Sequence, residues 1–180
     1  MKTRTGATVT LTAVTALLAA LAAQASESDK HVAESISHAK MTLTEAIRAA
    51  EKQGDGQAIS AEYEFKRGNP AYYEVKVLRN DGKKLTRYEL DPRTGAVTEK
   101  SNEDFERVFT RIKPTSIQHA PTSLTRAIHT AESRAGGKAV DADVDRDGDQ
   151  VRYTVKVVKL DGTSDKVRIN GADGKVASSD

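Results

Sequence analysis

The 180-residue chain contains no cysteine and no tryptophan. No disulfide can staple it, and no thiolate is available as nucleophile or metal ligand. Aromatic residues make up only 4%, so the interior must be built from aliphatic side chains. No GxSxG elbow, no GxxxxGK phosphate loop and no HExxH pair occurs anywhere. After the first 25 residues no apolar run is long enough to span a bilayer. These absences remove the common signatures of hydrolases, nucleotide binders and zinc enzymes. They leave a small packed protein with no ready-made chemistry.

The N-terminus is different in character. Met1-Lys-Thr-Arg4 is basic, Ala13 to Ala23 is rich in Ala and Leu, and Ala23-Gln24-Ala25 has the small-x-small pattern of a cleavage site. We read 1–25 as a secretory signal peptide cut after Ala25, which predicts a periplasmic or secreted protein without stable membrane insertion. Lys2 and Arg4 leave with it and no acid does, so the remaining 26 basic residues balance the 26 acidic ones. A neutral mature chain gives no reason to expect nucleic acid as a partner.

The remainder is written twice. Leu43-Thr-Glu-Ala-Ile-Arg-Ala-Ala-Glu51 recurs as Leu124-Thr-Arg-Ala-Ile-His-Thr-Ala-Glu132, offset by 81. Tyr73-x-Val75-x-Val77 and Asp81-Gly82 recur as Tyr153-x-Val155-x-Val157 and Asp161-Gly162, offset by 80. Leu90, Gly95 and Val97 recur as Ile169, Gly174 and Val176, offset by 79. One residue is dropped at each of two turns, where deletion is tolerated. An ordered match over whole units indicates internal duplication.

Each unit reads as a helix followed by an antiparallel sheet. Leu43, Ala46, Ile47 and Ala50 share one helical face behind a Thr42/Glu45 capping box, and Gly54-Asp55-Gly56 stops the helix. Ile59, Ala61, Tyr63 and Phe65 alternate with polar residues, as do Tyr73, Val75 and Val77, then Tyr88 and Leu90; Val97 opens a short fourth strand. In the second unit Ser123 caps a helix on Leu124, Ala127, Ile128 and Ala131, which ends at Gly136-Gly137. Val140, Ala142 and Val144 then begin its sheet, with Asp141, Asp143 and Asp145 on the solvent side. Laying each stripe on its own sheet gives an α+β fold of two tandem small domains, each one helix on a three- to four-stranded antiparallel sheet. The expected boundaries are 26–40 for an N-terminal segment, 41–100 for domain 1, 101–120 for a linker and 121–180 for domain 2. Domains of about 60 residues bury too little to stand easily alone, so the two should lean on each other. Phe105, Val108, Phe109 and Ile112 predict a helix in the linker, capped by Ser101 or Asn102; its apolar stripe is the candidate partner-binding surface.

The doubled pattern resembles the PepSY domain family. The marks are the capped helix from Thr42 to Ala50, the Tyr73-x-Val75-x-Val77 strand, the Asp81-Gly82 turn, the Leu90-Asp91 strand end and the Gly95-x-Val97 hairpin. The second copy carries the same marks, except that Asn170-Gly171 stands where the first has Asp91-Pro92. The resemblance implies a helix packed on an antiparallel sheet. It also implies an exported, non-catalytic protein with no cofactor that binds another envelope protein, with a peptidase as the partner it regulates.

One motif points elsewhere. Asp143, Asp145, Asp147 and Asp149, with Gly148, resemble the start of a calcium loop. Thr154 stands where that loop needs a bidentate Glu, and strands rather than helices flank it. Extracytoplasmic calcium or transition-metal binding is therefore the alternative reading. His31, Glu34 and His38 share one helical face, but His129 takes the outer position of Arg48, remote from them. No catalytic residues are assigned.

Overall fold

The structure is a computed structural model and describes residues 27–104, 112–147 and 150–177. The signal segment, Phe105, Val108, Phe109 and Asp149 lie outside the described residues.

The first repeat opens with helical residues 27–37 (α1), followed by helix α2, Leu43–Gly54. Thr42 and Glu45 form the expected reciprocal cap: Glu45 N–H donates to Thr42 Oγ1 and Thr42 N–H to Glu45 Oε2. Leu43, Ala46, Ile47 and Ala50 are all buried, as the i, i+3, i+4, i+7 spacing requires. The helix ends not on a glycine but on Asp55, held in the left-handed region at φ 47°. Strands β1 (Gly56–Glu64), β2 (Tyr72–Arg79), β3 (Lys84–Leu90) and β4 (Val97–Asp104) follow as an antiparallel meander. Ser101 and Asn102 therefore lie in a strand, where the linker helix was expected to find its cap. Thr86 Oγ1 donates to Asn102 Oδ1 across β3 and β4 at 2.6 Å, a pairing that fixes these residues in the sheet. The described helix of the linker is instead one turn, α3, Pro114–Gln118.

The second repeat supplies α4 (Leu124–Ala135), β5 (Lys138–Asp147), β6 (Gln150–Val158) and β7 (Ser164–Asn170). Among the described residues, what corresponds to β4 is one bridge, Ile169 to Val176.

The expected pair of sheets is in fact one. The seven strands run in the order β4-β3-β2-β1-β5-β6-β7, and the repeats join where β1 pairs antiparallel with β5. The seam has three rungs: Ser60 with Asp143, Ala61 with Ala142, and Glu62 with Asp141. At the 81-residue offset Ala61 is opposite its own counterpart, and the flanking rungs exchange partners. A local twofold axis therefore passes through the Ala61–Ala142 rung, with α2 and α4 related by it. The domains do not each close a separate interior. Buried residues of both helices and both halves of the sheet form one continuous core. Sequence periodicity could not reveal this, because strand pairing depends on backbone edges rather than on side-chain pattern.

Candidate functional site

Several polar side chains that look chemically suggestive are structural. Glu51 Oε1 accepts the Ala58 N–H at 2.9 Å, and Glu132 Oε1 accepts the Ala139 N–H at the same distance. Both amides sit beside a register shift, between Ala58 and Ser60 in β1 and between Ala139 and Asp141 in β5. A bulge leaves a backbone group without a ladder partner, and the last Glu of each helix supplies one. Burial pushes the Glu51 carboxyl above its usual range, with the Ala58 hydrogen bond and Arg48 opposing. The Tyr73 hydroxyl donates to the Met41 carbonyl, and the Tyr153 hydroxyl donates to the Thr122 carbonyl. Each tyrosine ties the strand to the segment entering its helix. Burial raises the Tyr153 phenol to about 12.

The Asn170-Gly171 departure from Asp91-Pro92 has a similar explanation. Asp91 Oδ1 accepts from the Arg93 and Thr94 amides, and Asn170 Oδ1 accepts from Ala172 N–H in the same turn. Gly171 donates its N–H to the Val151 carbonyl, and a Cβ there would lie 2.4 Å from that oxygen. Proline could not make that contact.

The chemistry of interest lies on the face whose residues alternate with the core. Rungs place Glu89, Glu74, Glu62, Asp141, Lys156 and Lys166 in one row across six strands. The row is acidic through the first repeat and the seam, then basic. Lys100 holds Glu89 at 3.0 Å, and Arg87 and Lys76 hold Glu74 at 3.3 and 3.4 Å. Glu62 and Asp141 face each other across the seam, and like charges directly opposite are destabilising. Burial, then the Asp143 and Glu62 charges, raise the Asp141 carboxyl to about 7, with Lys166 opposing. Burial also raises Glu62, helped by Glu64, Asp143 and Glu74. Asp141 is thus half-buried at the seam and not on a freely solvated strand, as its alternation had suggested.

Asp143 and Asp145 are exposed on β5, and the Asp145 carboxylate accepts the Arg146 N–H. Asp147 ends that strand. Among the described residues no three His, Asp or Glu side chains converge as a metal site. His31 lies on α1, where Arg67 Nη2 donates to its Nε2 at 2.5 Å, and His129 is exposed on α4. The linker stripe is represented by Ile112 alone, which packs partly buried against the core.

Two adjoining grooves flank the loop between β1 and β2. The larger, about 560 Å³, has Tyr72, Leu90 and Pro70 among its apolar surfaces and Glu64, Glu89 and Asp91 among its polar ones. The smaller, about 360 Å³, shares Pro70, Ala71 and Asp91 and adds Ser35, His38 and Tyr63. Sequence reading passed over Tyr72 in favour of Tyr73. The available signal was a lone aromatic among the polar positions of the Tyr72-Tyr-Glu-Val75 strand. A third groove, about 270 Å³, runs along the outer edge of β7 beside Arg134, Lys166, Arg168 and Val176.

α1 spans the seam. Asp29 accepts from Lys156 Nζ at 2.6 Å and Ser164 Oγ at 2.7 Å in the second repeat, while Ser35 Oγ bonds Tyr63 Oη at 2.7 Å in the first. Among the described residues no helix is long and apolar enough to cross a membrane.

Comparison with known proteins agrees with the doubled architecture. A candidate lipoprotein from Clostridium difficile 630, known from its crystal structure, shows 18% identity and a TM-score of 0.45 over 78% of this chain and 92% of its own; that likeness is too distant to carry an argument. No curated protein matches. The family model described as "Peptidase propeptide and YPEB domain" matches twice, over residues 40–100 and 122–180, the two helix-and-meander units that share the sheet. The chain belongs to the PepSY family, in two tandem copies.

Proposed function

We propose that this protein is a non-catalytic binding module that works outside the cytoplasm and restrains a peptidase by adding one of the partner's segments to its sheet. The observation that carries this reading is the uncovered outer side of β7. β4 and β7 end the sheet. In the first repeat β4 covers β3 along its whole length, whereas the equivalent strand β7 has among the described residues only the bridge at Ile169. The Arg168 carbonyl accepts the Ala177 N–H and the Asn170 N–H donates to the Lys175 carbonyl, both on the outer side. Alternation therefore turns the backbone groups of Lys166 and Ser164 outward as well. An edge of this kind pairs with an extended chain through main-chain hydrogen bonds, and neighbouring grooves select its side chains. The signal-like N-terminus and a family whose description includes peptidase propeptides support the location and the partner class. The candidate stripe at Phe105, Val108, Phe109 and Ile112 is a second contact surface on this reading.

The test is to mix the purified chain with peptidases secreted by its own source and follow their rates and complex formation by size exclusion. Inhibition with a stable complex supports the reading. Lys166→Pro removes one outward N–H without touching the β6 ladder, so it should abolish complex formation while the circular dichroism spectrum is kept. Absence of any complex, or full binding by Lys166→Pro, overturns it.

A further inference from the structure

We propose that the groove over Tyr72 in the first repeat is a recognition site for a cationic side chain, the Arg or Lys of a peptide segment presented by a partner. This goes beyond edge pairing at β7 and does not depend on it, since the two sites lie in different repeats.

The placement of carboxylates carries the inference. Glu64 is directly opposite Tyr72 on the β1–β2 ladder, and Glu74 and Glu89 are opposite each other one rung of the same face away. Asp91 follows the Tyr73–Leu90 rung, which sets it beside Tyr72 on the other side. Glu64, Glu74, Glu89 and Asp91 are therefore the register neighbours of Tyr72 on this face. Their charge is felt: burial raises the Tyr72 phenol, and Glu64, Glu89 and Glu74 add to it, with Arg87 opposing. Glu74 and Glu89 are already held by Arg87, Lys76 and Lys100, and the Asp91 carboxylate is used by the amides of its own turn. Glu64 makes no ion pair among the described residues, so the groove keeps one carboxylate available. Lys66 is the cation of the lining.

The groove's shape fits the same ligand. Its volume of about 560 Å³ is far more than an ammonium ion needs and suits a side chain with an apolar stem. Leu90, Pro70 and Ala71 offer contact for that stem. An aromatic face with carboxylates around it attracts ammonium and guanidinium groups both through the ring and through charge. A neutral ligand would leave Glu64 unpaired, and an anionic one would be repelled by it.

The second repeat acts as an internal control. At the offsets of the strands, Tyr72 corresponds to Arg152, Glu74 to Thr154, Glu89 to Arg168 and Asp91 to Asn170, while Glu64 alone keeps an acid, Asp145 opposite Arg152. The same position in the same fold is cationic there. The fold therefore does not require the acidic set, and its presence on one side only points to a ligand.

The experiment is a titration of the uniformly ¹⁵N-labelled chain, followed by amide chemical shifts. The probes are acetyl-Ala-Ala-Arg-Ala-Ala-amide, its Lys counterpart and its norleucine counterpart. The expected result is saturable shifts at residues 64, 71–72, 89–91 and 96–98 with the Arg and Lys peptides and none with norleucine. Tyr72→Ala and Glu64→Gln should each weaken binding at least about fivefold, and Tyr72→Phe should keep it. Tyr72 is only half-buried, so melting curves should show both variants folded. Equal shifts with the norleucine peptide, or no loss in both Tyr72→Ala and Glu64→Gln, overturns the proposal. So does a response to 1,5-diaminopentane with none to either cationic peptide.

Discussion

On the polar face the first repeat presents Glu89, Glu74 and Glu62, while the second continues the same row with Asp141, Lys156 and Lys166. On the other face the repeats share their backbone-satisfying hydrogen bonds, although Tyr63 and Tyr88 of the first core are matched by Val144 and Val167 in the second. Tyr73 and Tyr153 reach equivalent carbonyls, and Glu51 and Glu132 satisfy equivalent bulges. Burial and unpaired backbone groups constrain the inward side, so both repeats keep it apolar and keep the same hydrogen bonds. The outward side was free to take opposite charges. Duplication has thus produced one scaffold with two different surfaces.

The strongest way to break this comparison is to hollow out one core and watch the other. Ile47 and Ile128 are both fully buried beneath their helices. Each change to Ala should cost about 2–5 kcal/mol. Because the sheet is continuous, both should shift one common unfolding transition in calorimetry. Two separable transitions, with only one moved by each variant, would show the repeats to be independent.

A smaller effect is expected at the bulges. Glu132→Ala leaves the Ala139 N–H unsatisfied and should cost about 1–3 kcal/mol, with Glu51→Ala alike and the Gln variants milder. Urea denaturation of the four variants measures whether the two bulges are equivalent.

The seam should show itself in pH dependence. Asp141 titrates in the folded chain near 7, above the usual carboxylate value of about 4 in an unfolded one. The folded state then holds the extra proton between those values. Its contribution is full below about pH 4 and is lost as pH rises toward 7. Asp141→Asn should therefore stabilise by roughly 1–2 kcal/mol at pH 8, the full value of about 4 for three pH units being cut by solvent screening of a half-buried carboxylate, and by almost nothing at pH 4. A gain of equal size at both pH values would refute the assignment.

The smallest effect concerns the helix ends. Gly136 closes α4 at φ 73°, while Asp55 closes α2 in the same region with a side chain. Gly136→Ala should lose about 1 kcal/mol. Asp55→Gly should differ by a few tenths, since relief of the left-handed residue is offset by loss of the Asn80 side-chain bond to its carboxylate. Thermal melts of the pair resolve the order.

Helices and strand faces were legible because burial follows period: Ala46, Ile47 and Ala50, or Val75 and Val77, announce their sides. The fourth strand was legible only at Val97, since Thr98 to Asp104 carries no apolar alternation. The seam was hidden for a related reason. Ser60, Glu62, Asp141 and Asp143 look like residues that protect an edge, and here they line a closed junction. α1 was visible only as a possible face of His31, Glu34 and His38; its anchoring by Asp29 to Lys156, 127 positions away, has no local trace. The acidic set at Tyr72 needed the register, because Glu64, Glu89 and Asp91 are distant in the chain.

The three-rung seam has a consequence for how the halves hold together. Through these three rungs alone, with Glu62 opposed to Asp141, two separate modules would associate weakly. Fusion into one polypeptide changes the arithmetic: the tether keeps each half at an effective concentration on the order of millimolar around the other. A junction too feeble to assemble a dimer at cellular abundance suffices when its partner cannot diffuse away. The gene fusion thereby relaxed the demand on that interface, and acids have been able to persist along it.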